Sequence, residues 1–302
     1  MYQAKKQNNG LAAGLIATAT AFIAATTLMA KALGSDALGP ALPALQISHG
    51  RFLFAFLAIS TAVVILRPTL DAPHWRLHLA RTTCGWAGIT LMFASVAYIP
   101  LADATAISFL NPVFGMMLAI PLLGETVGRI RWFAAVMALF GAVILLRPTP
   151  DSFQAAALLP FGAAMVMGLE LIFIKKLTSR EGPFQILFFN NMMGLGIATL
   201  AVIPVWQPPT LAQWGLLAGI GVCMAVAQSC FVNGMARADA SFVAPFSYGT
   251  LIFAALYDQI FYGVTPDRIT LLGAGIIISG AVLLALREAR VKSRPAAAHT
   301  AL

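Results

Sequence analysis

Again and again this chain runs for about 20 residues with almost no charge, the length a helix needs to cross the hydrocarbon core of a bilayer. The first such run extends from Leu11 to Leu33 and meets its first charged side chain at Lys31. Where lipid replaces water, backbone N–H and C=O groups must be satisfied within the segment, and a helix does so locally. Composition agrees: 60% of the 302 residues are hydrophobic and 10% are charged, against about 25% charged in a soluble domain. The formal net charge of +8 does not point to nucleic acid, because nearly all charges sit at the ends of apolar runs or in short links. Cys84, Cys223 and Cys230 fall inside apolar runs, without metal-ligand spacing or a disulfide framework.

Cutting at Gly, Pro and charge predicts ten spans, at 11–33, 45–66, 79–98, 101–122, 129–147, 154–177, 184–206, 211–236, 239–262 and 267–287. The expected fold is therefore an all-α membrane protein of ten transmembrane helices. The first run is too long for the apolar core of a signal peptide, so it is expected to be retained. Lys and Arg concentrate on the cytoplasmic side of membrane proteins. With the N-terminus placed there, only Lys31, Arg51, Arg147 and Arg268 of the 19 Lys and Arg fall on the other side. An even span count puts both termini in the cytoplasm.

The chain also repeats itself. Pro-Leu-Ala-Asp103-Ala-Thr resembles Ala-Arg-Ala-Asp239-Ala-Ser, Gly141-Ala-Val-Ile-Leu-Leu resembles Gly280-Ala-Val-Leu-Leu, and Pro43 matches Pro183. Five spans per half is odd, so the second copy is expected to enter the membrane from the opposite side. Such inverted-topology repeats characterise secondary transporters. The predicted units are a first five-helix repeat at 1–148, a second at 149–288, and a disordered cytoplasmic tail at 289–302.

The run Ile99-Pro-Leu-Ala-Asp-Ala-Thr-Ala-Ile-Ser-Phe-Leu-Asn-Pro112, with Leu123-Gly-Glu-Thr126, Arg131-Trp132 and Gly141 through Arg147-Pro148, resembles the EamA family of the drug/metabolite transporter superfamily. Ala238-Asp-Ala-Ser-Phe-Val-Ala-Pro-Phe-Ser-Tyr248 fits the same pattern. The resemblance covers essentially the whole chain. It implies ten helices, alternating access, a central cavity lined by both halves, and a place in the bacterial inner membrane. One position departs: the second copy has Gly263-Val264 where the first has Gly124-Glu125. General likeness is greatest to bacterial riboflavin importers, which makes riboflavin the expected small-molecule solute. S-adenosylmethionine or amino-acid traffic, export included, is the alternative, and a membrane-embedded enzyme or sensor is the rival of another class. The resemblance leaves a homodimer open as the assembly.

Ionisable side chains inside a span cost about 2.5–3.5 kcal/mol on insertion scales. Glu170 stands near the middle of the sixth predicted span, either as a cavity-facing acceptor or proton carrier, or as a protonated group bonded to a neighbouring helix. Arg51 either holds an anionic or carbonyl-rich solute or snorkels to the interface. His49 is expected to pack, Lys31 to snorkel, and Arg81 to anchor its helix at the cytoplasmic face. Asp258 either pairs with a neighbour or lines a vestibule. Asn190 and Asn191 are adjacent amides in an apolar run and need partners, with Gln228 and Asn111 as weaker cases. Pro112 removes a backbone donor next to Asn111, so a break is expected there. Trp86, Phe93 and Tyr248 are candidate ring surfaces for a flat solute, beside Tyr98 and Phe109. The expected pocket lies mid-membrane between the halves. No phosphate loop, metal cluster or nucleophile arrangement is present in the sequence, so neither enzyme activity, cofactor nor metal is expected.

Overall fold

The computed structural model describes residues 7–36, 38–96, 107–146, 157–263 and 265–292. Every regular element among them is a helix. In chain order these are α1 (Asn9–Leu33), α2 (Ala44–Leu66), α3 (Trp75–Val96), α4 (Asn111–Leu123), α5 (Arg129–Leu146), α6 (Leu158–Thr178), α7 (Pro183–Val202) and α8 (Leu211–Met235). A short α9 (Ala240–Val243) then passes through a 3-10 turn, Ala244–Tyr248, into α10 (Gly249–Tyr262), and α11 (Arg268–Lys292) follows.

The ends follow local chemistry. Asn8 caps α1 by accepting from the Leu11 N–H at 3.1 Å, and Thr210 and Gln213 form a reciprocal capping box on α8. Gly124 (φ 69) and Gly263 (φ 67) stop α4 and α10 in the left-handed region, where a side chain would be strained.

Seven helices of the described residues are long and apolar enough to cross a membrane: Asn9–Leu33, Ala44–Leu66, Leu158–Thr178, Pro183–Val205, Leu211–Met235, Ala240–Phe261 and Arg268–Arg287. This corrects the predicted ten transmembrane helices. The third predicted span forms α3, but α3 begins at Trp75 and spends its first two turns on Arg76, His78 and Arg81. The fourth forms α4, whose 13 residues reach about 20 Å at 1.5 Å per residue, short of the roughly 30 Å core. The fifth forms α5, which opens on Arg129 and Arg131. The shared cytoplasmic side of the termini and the inversion of the repeats rested on that count and fall with it. The termini themselves, with the link Ile99-Pro-Leu101, lie outside the described residues.

The two halves pack chiefly on each other: α1 on α8 and α3 on α6, α10 on α1 and α4 on α6, α2 on α7, and α5 on α11. The interior is rich in small residues, with Ala12, Ala19, Ala55, Ala119, Ala163 and Ala164 fully buried, while Val64, Phe133, Phe140, Leu200 and Leu271 are more than half exposed. Small inside and bulky apolar outside is the distribution expected of helices solvated by lipid. Close approach is visible at Gly221 of α8, where an added Cβ would stand 2.7 Å from the Ala55 nitrogen of α2. Gly215 on the same helix has nothing within 4 Å of that position. Gly221→Val should therefore destabilise the bundle by about 1–3 kcal/mol and lower the melting temperature in detergent. Gly215→Val is the control, and equal melting of the two variants would refute this account of the α2–α8 contact.

Candidate functional site

Buried and half-buried polar side chains from α3, α6, α7 and α8 gather within the bundle. On α6, the Glu170 carboxylate lies against α3 at Gly85, where a Cβ would come within 3.0 Å of it. Arg81 reaches the same place from α3: its Nε is 3.8 Å from Glu170 Oε1, and its Nη1 donates to the Ile186 carbonyl at 3.4 Å. The arginine is 3% exposed, and its buried Nε has no hydrogen-bond partner. Arg51, on α2, adds a second positive field at Glu170, with its guanidinium 4.3 Å from the Phe52 ring centroid. Two guanidinium charges therefore act on one carboxylate.

The amides of α7 adjoin this group. Asn190 Oδ1 accepts from the Thr82 hydroxyl of α3 at 3.4 Å. Asn191 Nδ2 donates to the Leu187 carbonyl at 2.8 Å and to Gln228 Oε1 of α8 at 2.9 Å. Asn191 is fully buried and its Oδ1 has no partner. An unmatched buried polar group costs about 1–3 kcal/mol, so one open donor and one open acceptor are held at a cost. Rings stand nearby on α2, α3 and α7: Phe188 lies 5.5 Å from Phe56, and Phe189 lies 5.0 Å from Trp75 and 5.3 Å from His78.

The structure thus sets Arg81 and the field of Arg51 at Glu170, places Asn190 beside them through Thr82, and pairs Asn191 with Gln228 on the next face of α7. Reading Arg81 as an interfacial anchor was wrong. Hydropathy places an early Arg at the helix mouth, whereas Thr82, Gly85 and Gly88 let α3 pack tightly and carry Arg81 inward. Trp86 sits on the same helix and is 37% exposed. Phe93 is also on α3, but its side chain and all of Tyr98 lie outside the described residues. Tyr248 belongs elsewhere: it is fully buried, donates to the Phe109 carbonyl at 2.7 Å, and packs with Ala138, Leu251 and Ile277. Asn111 opens α4 with Pro112 in its first turn, where proline interrupts nothing. The break falls earlier, at Phe109 and Leu110. Asp258 pairs with Lys31 at 3.0 Å, and His49 packs edge-on against Trp206.

A second cluster, unsignalled in the sequence, ties the link after α2 to the start of α7. Glu181 is 2% exposed and accepts from the His74 N–H at 2.7 Å and from His74 Nδ1, His78 Nε2 and Gln185 Nε2 at 2.8 Å each. Burial acts to raise its carboxyl, but the hydrogen bonds from His78 and His74 outweigh burial and hold the pKa at about 2. A cavity of about 340 Å³ opens beside it, with Pro68, Thr69 and Asp71 facing Pro183, Phe184 and Gln185. It lies among loop and helix-end residues, away from the mid-membrane place expected for a pocket.

A bundle of membrane-length helices that buries a charged pair and amides between its halves is built as a carrier of small solutes. The EamA-like transporter family matches residues 10–147 and again 154–286, and the chain belongs to that family. It is a multi-pass bacterial inner-membrane transporter of a small metabolite. It is 32% identical to a riboflavin transporter of Vibrio cholerae over 84% of this chain and 86% of that one. It is likewise 32% identical to a riboflavin transporter of Rhizobium johnstonii, over 85% of each chain. An S-adenosylmethionine uptake transporter of Rickettsia bellii is 27% identical over 86% of this chain and 90% of its own. A crystal structure with a TM-score of 0.79 and 17% identity covers 94% of this chain and 99% of that one, a likeness of fold alone.

Proposed function

We propose that the chain carries riboflavin into the cell, held among Arg81, Glu170, Asn190, Asn191 and Gln228, with Arg51 adding to the field. The observation that carries this reading is that the interior holds both an open donor, Arg81 Nε, and an open acceptor, Asn191 Oδ1, each buried without a partner. A flat heteroaromatic solute with ring carbonyls and a ring N–H offers partners to both. Mostly apolar surroundings with a few placed polar groups suit such a solute. Charge argues against the alternative. S-adenosylmethionine carries a sulfonium cation, and two arginines around one carboxylate repel it in a low-dielectric interior.

Labelled riboflavin uptake by a riboflavin-auxotrophic bacterium expressing the chain tests this. Uptake should be saturable and reduced by excess unlabelled riboflavin, while S-adenosylmethionine and amino acids leave it unchanged. Competition by S-adenosylmethionine, or uptake no greater than that of the empty host, would overturn the assignment.

A further inference from the structure

A third polar assembly joins the halves at the end of the bundle where α8 hands over to α9. Gly124 turns the chain out of α4, and Glu125 then reaches across to the second half. Its Oε1 accepts from the Ala240 N–H at 2.8 Å, and its Oε2 accepts from the Ser241 N–H at 3.0 Å and the Ser241 hydroxyl at 2.6 Å. Arg131, at the start of α5, donates through Nη1 to Ser241 Oγ at 2.8 Å and through Nη2 to Asp239 Oδ2 at 3.0 Å. Gln7 Nε2 donates to Asp239 Oδ1 at 3.1 Å. Lys175 of α6 donates to the carbonyls of Met235, at 2.8 Å, and Ala238. Ser241 is fully buried and Arg131 is 8% exposed.

The bonds of Glu125 and Arg131 run from the first half to the second, and so does the bond from Gln7. Those of Glu125 and Arg131 are charge-assisted and largely sheltered, the kind least weakened by solvent, while that of Gln7 is exposed. At the opposite end, Lys31 and Asp258 also join the halves, at 3.0 Å, but with side chains 59% and 40% exposed. Exposed pairs of that sort hold little. The two ends are therefore closed with very different strength, and parting the halves at the first end requires several matched bonds to break together.

We propose that Glu125 and Arg131, clasping the Asp239–Ser241 corner, form the closed gate of the transport cycle at this end, while Lys31–Asp258 is a light closure that yields first. Val264 stands where a second Glu125 would be, so the second half lacks the carboxylate for an equivalent clasp and the asymmetry is written in the sequence. The proposal rests on carrier function and not on which solute is carried.

The test uses the full chain in detergent, with Cys84, Cys223 and Cys230 replaced by Ser and Ala244→Cys added. Ala244 is 2% exposed and lies one turn behind the clasp. Its reaction with a bulky water-soluble maleimide should be slow in this parent. Glu125→Ala and Arg131→Ala should each speed it roughly tenfold or more, the effect of one lost charge-assisted bond on an open–closed equilibrium. Lys31→Ala should change it less than twofold. Arg131→Glu combined with Asp239→Arg should bring labelling back toward the parent. If an Ala variant does not fold, Glu125→Gln and Ser241→Ala carry the same expectation. Labelling at the parent rate in the Glu125 and Arg131 variants, or faster labelling in Lys31→Ala than in either, overturns the gate. No solute is needed, so failure of riboflavin uptake leaves this result standing.

Discussion

Glu170→Gln is expected to lower the rate of solute uptake per molecule of expressed protein by roughly ten- to a hundredfold. The carboxylate is the counter-charge of Arg81, 3.8 Å away, too far for a hydrogen bond to it, and a charge-assisted hydrogen bond from the solute to Glu170 would contribute about 1.5–3 kcal/mol. At 1.4 kcal/mol per factor of ten, its loss gives that range. The amide keeps the shape and hydrogen-bonding capacity of the side chain, so only the charge is removed. Arg81 would then be an unpaired guanidinium, 3% exposed, and an uncompensated buried charge costs about 3–5 kcal/mol in stability. The Arg81→Gln/Glu170→Gln double variant separates stability from transport. With both charges gone, expression and melting temperature should return toward the parent, whereas uptake should stay low because the solute has lost its partners. Wild-type uptake by Glu170→Gln across pH 5.5 to 8 would make the residue a packing element. Recovery of uptake in the double variant would reduce the pair to a structural bridge.

What the sequence discloses here follows from what hydropathy measures. Runs at 11–33, 45–66 and 211–236 match α1, α2 and α8 to within a residue or two, because each is a single uninterrupted helix. The ten-span count failed where apolarity and helix length part company. Across 101–122 hydropathy stays high on average while the helix breaks at Phe109 and Leu110 and α4 keeps only 13 residues. Glu170, Asn190 and Asn191 stood out as polar residues in apolar surroundings, and that contrast survives into the fold. Arg81 did not, since its partners belong to α6 and α7. Glu125 likewise finds Ala240 across 115 positions of chain, and a pairing at that distance leaves no trace in composition or period.

Glu181→Ala should be among the most destabilising single substitutions outside the helices, and its effect should depend on pH in a stated direction. The carboxylate takes four donors, from the His74 backbone and ring, the His78 ring and the Gln185 amide. Removing it leaves the buried His78 ring and the Gln185 amide without their acceptor, a loss of about 1–3 kcal/mol for each unmatched buried group. The folded-state pKa of about 2 lies below the roughly 4.3 of a free Glu, so the folded form favours the ionised group. Its contribution is therefore complete above about pH 4.3 and is lost as pH falls from there through about 2. The gap in melting temperature between wild type and Glu181→Ala should be widest at pH 6 to 8 and should narrow steadily between pH 4 and pH 2. Transport should fall as well. Gln185 sits in the first turn of α7 and also accepts from the Asp71 N–H at 2.8 Å, so loosening Glu181 frees the end of the helix that carries Asn190 and Asn191. A gap that stays constant from pH 7 to pH 2 would show that the donors are satisfied without the carboxylate charge. Unchanged uptake in a well-folded Glu181→Ala protein would show that α7 holds its amides in place without this tether.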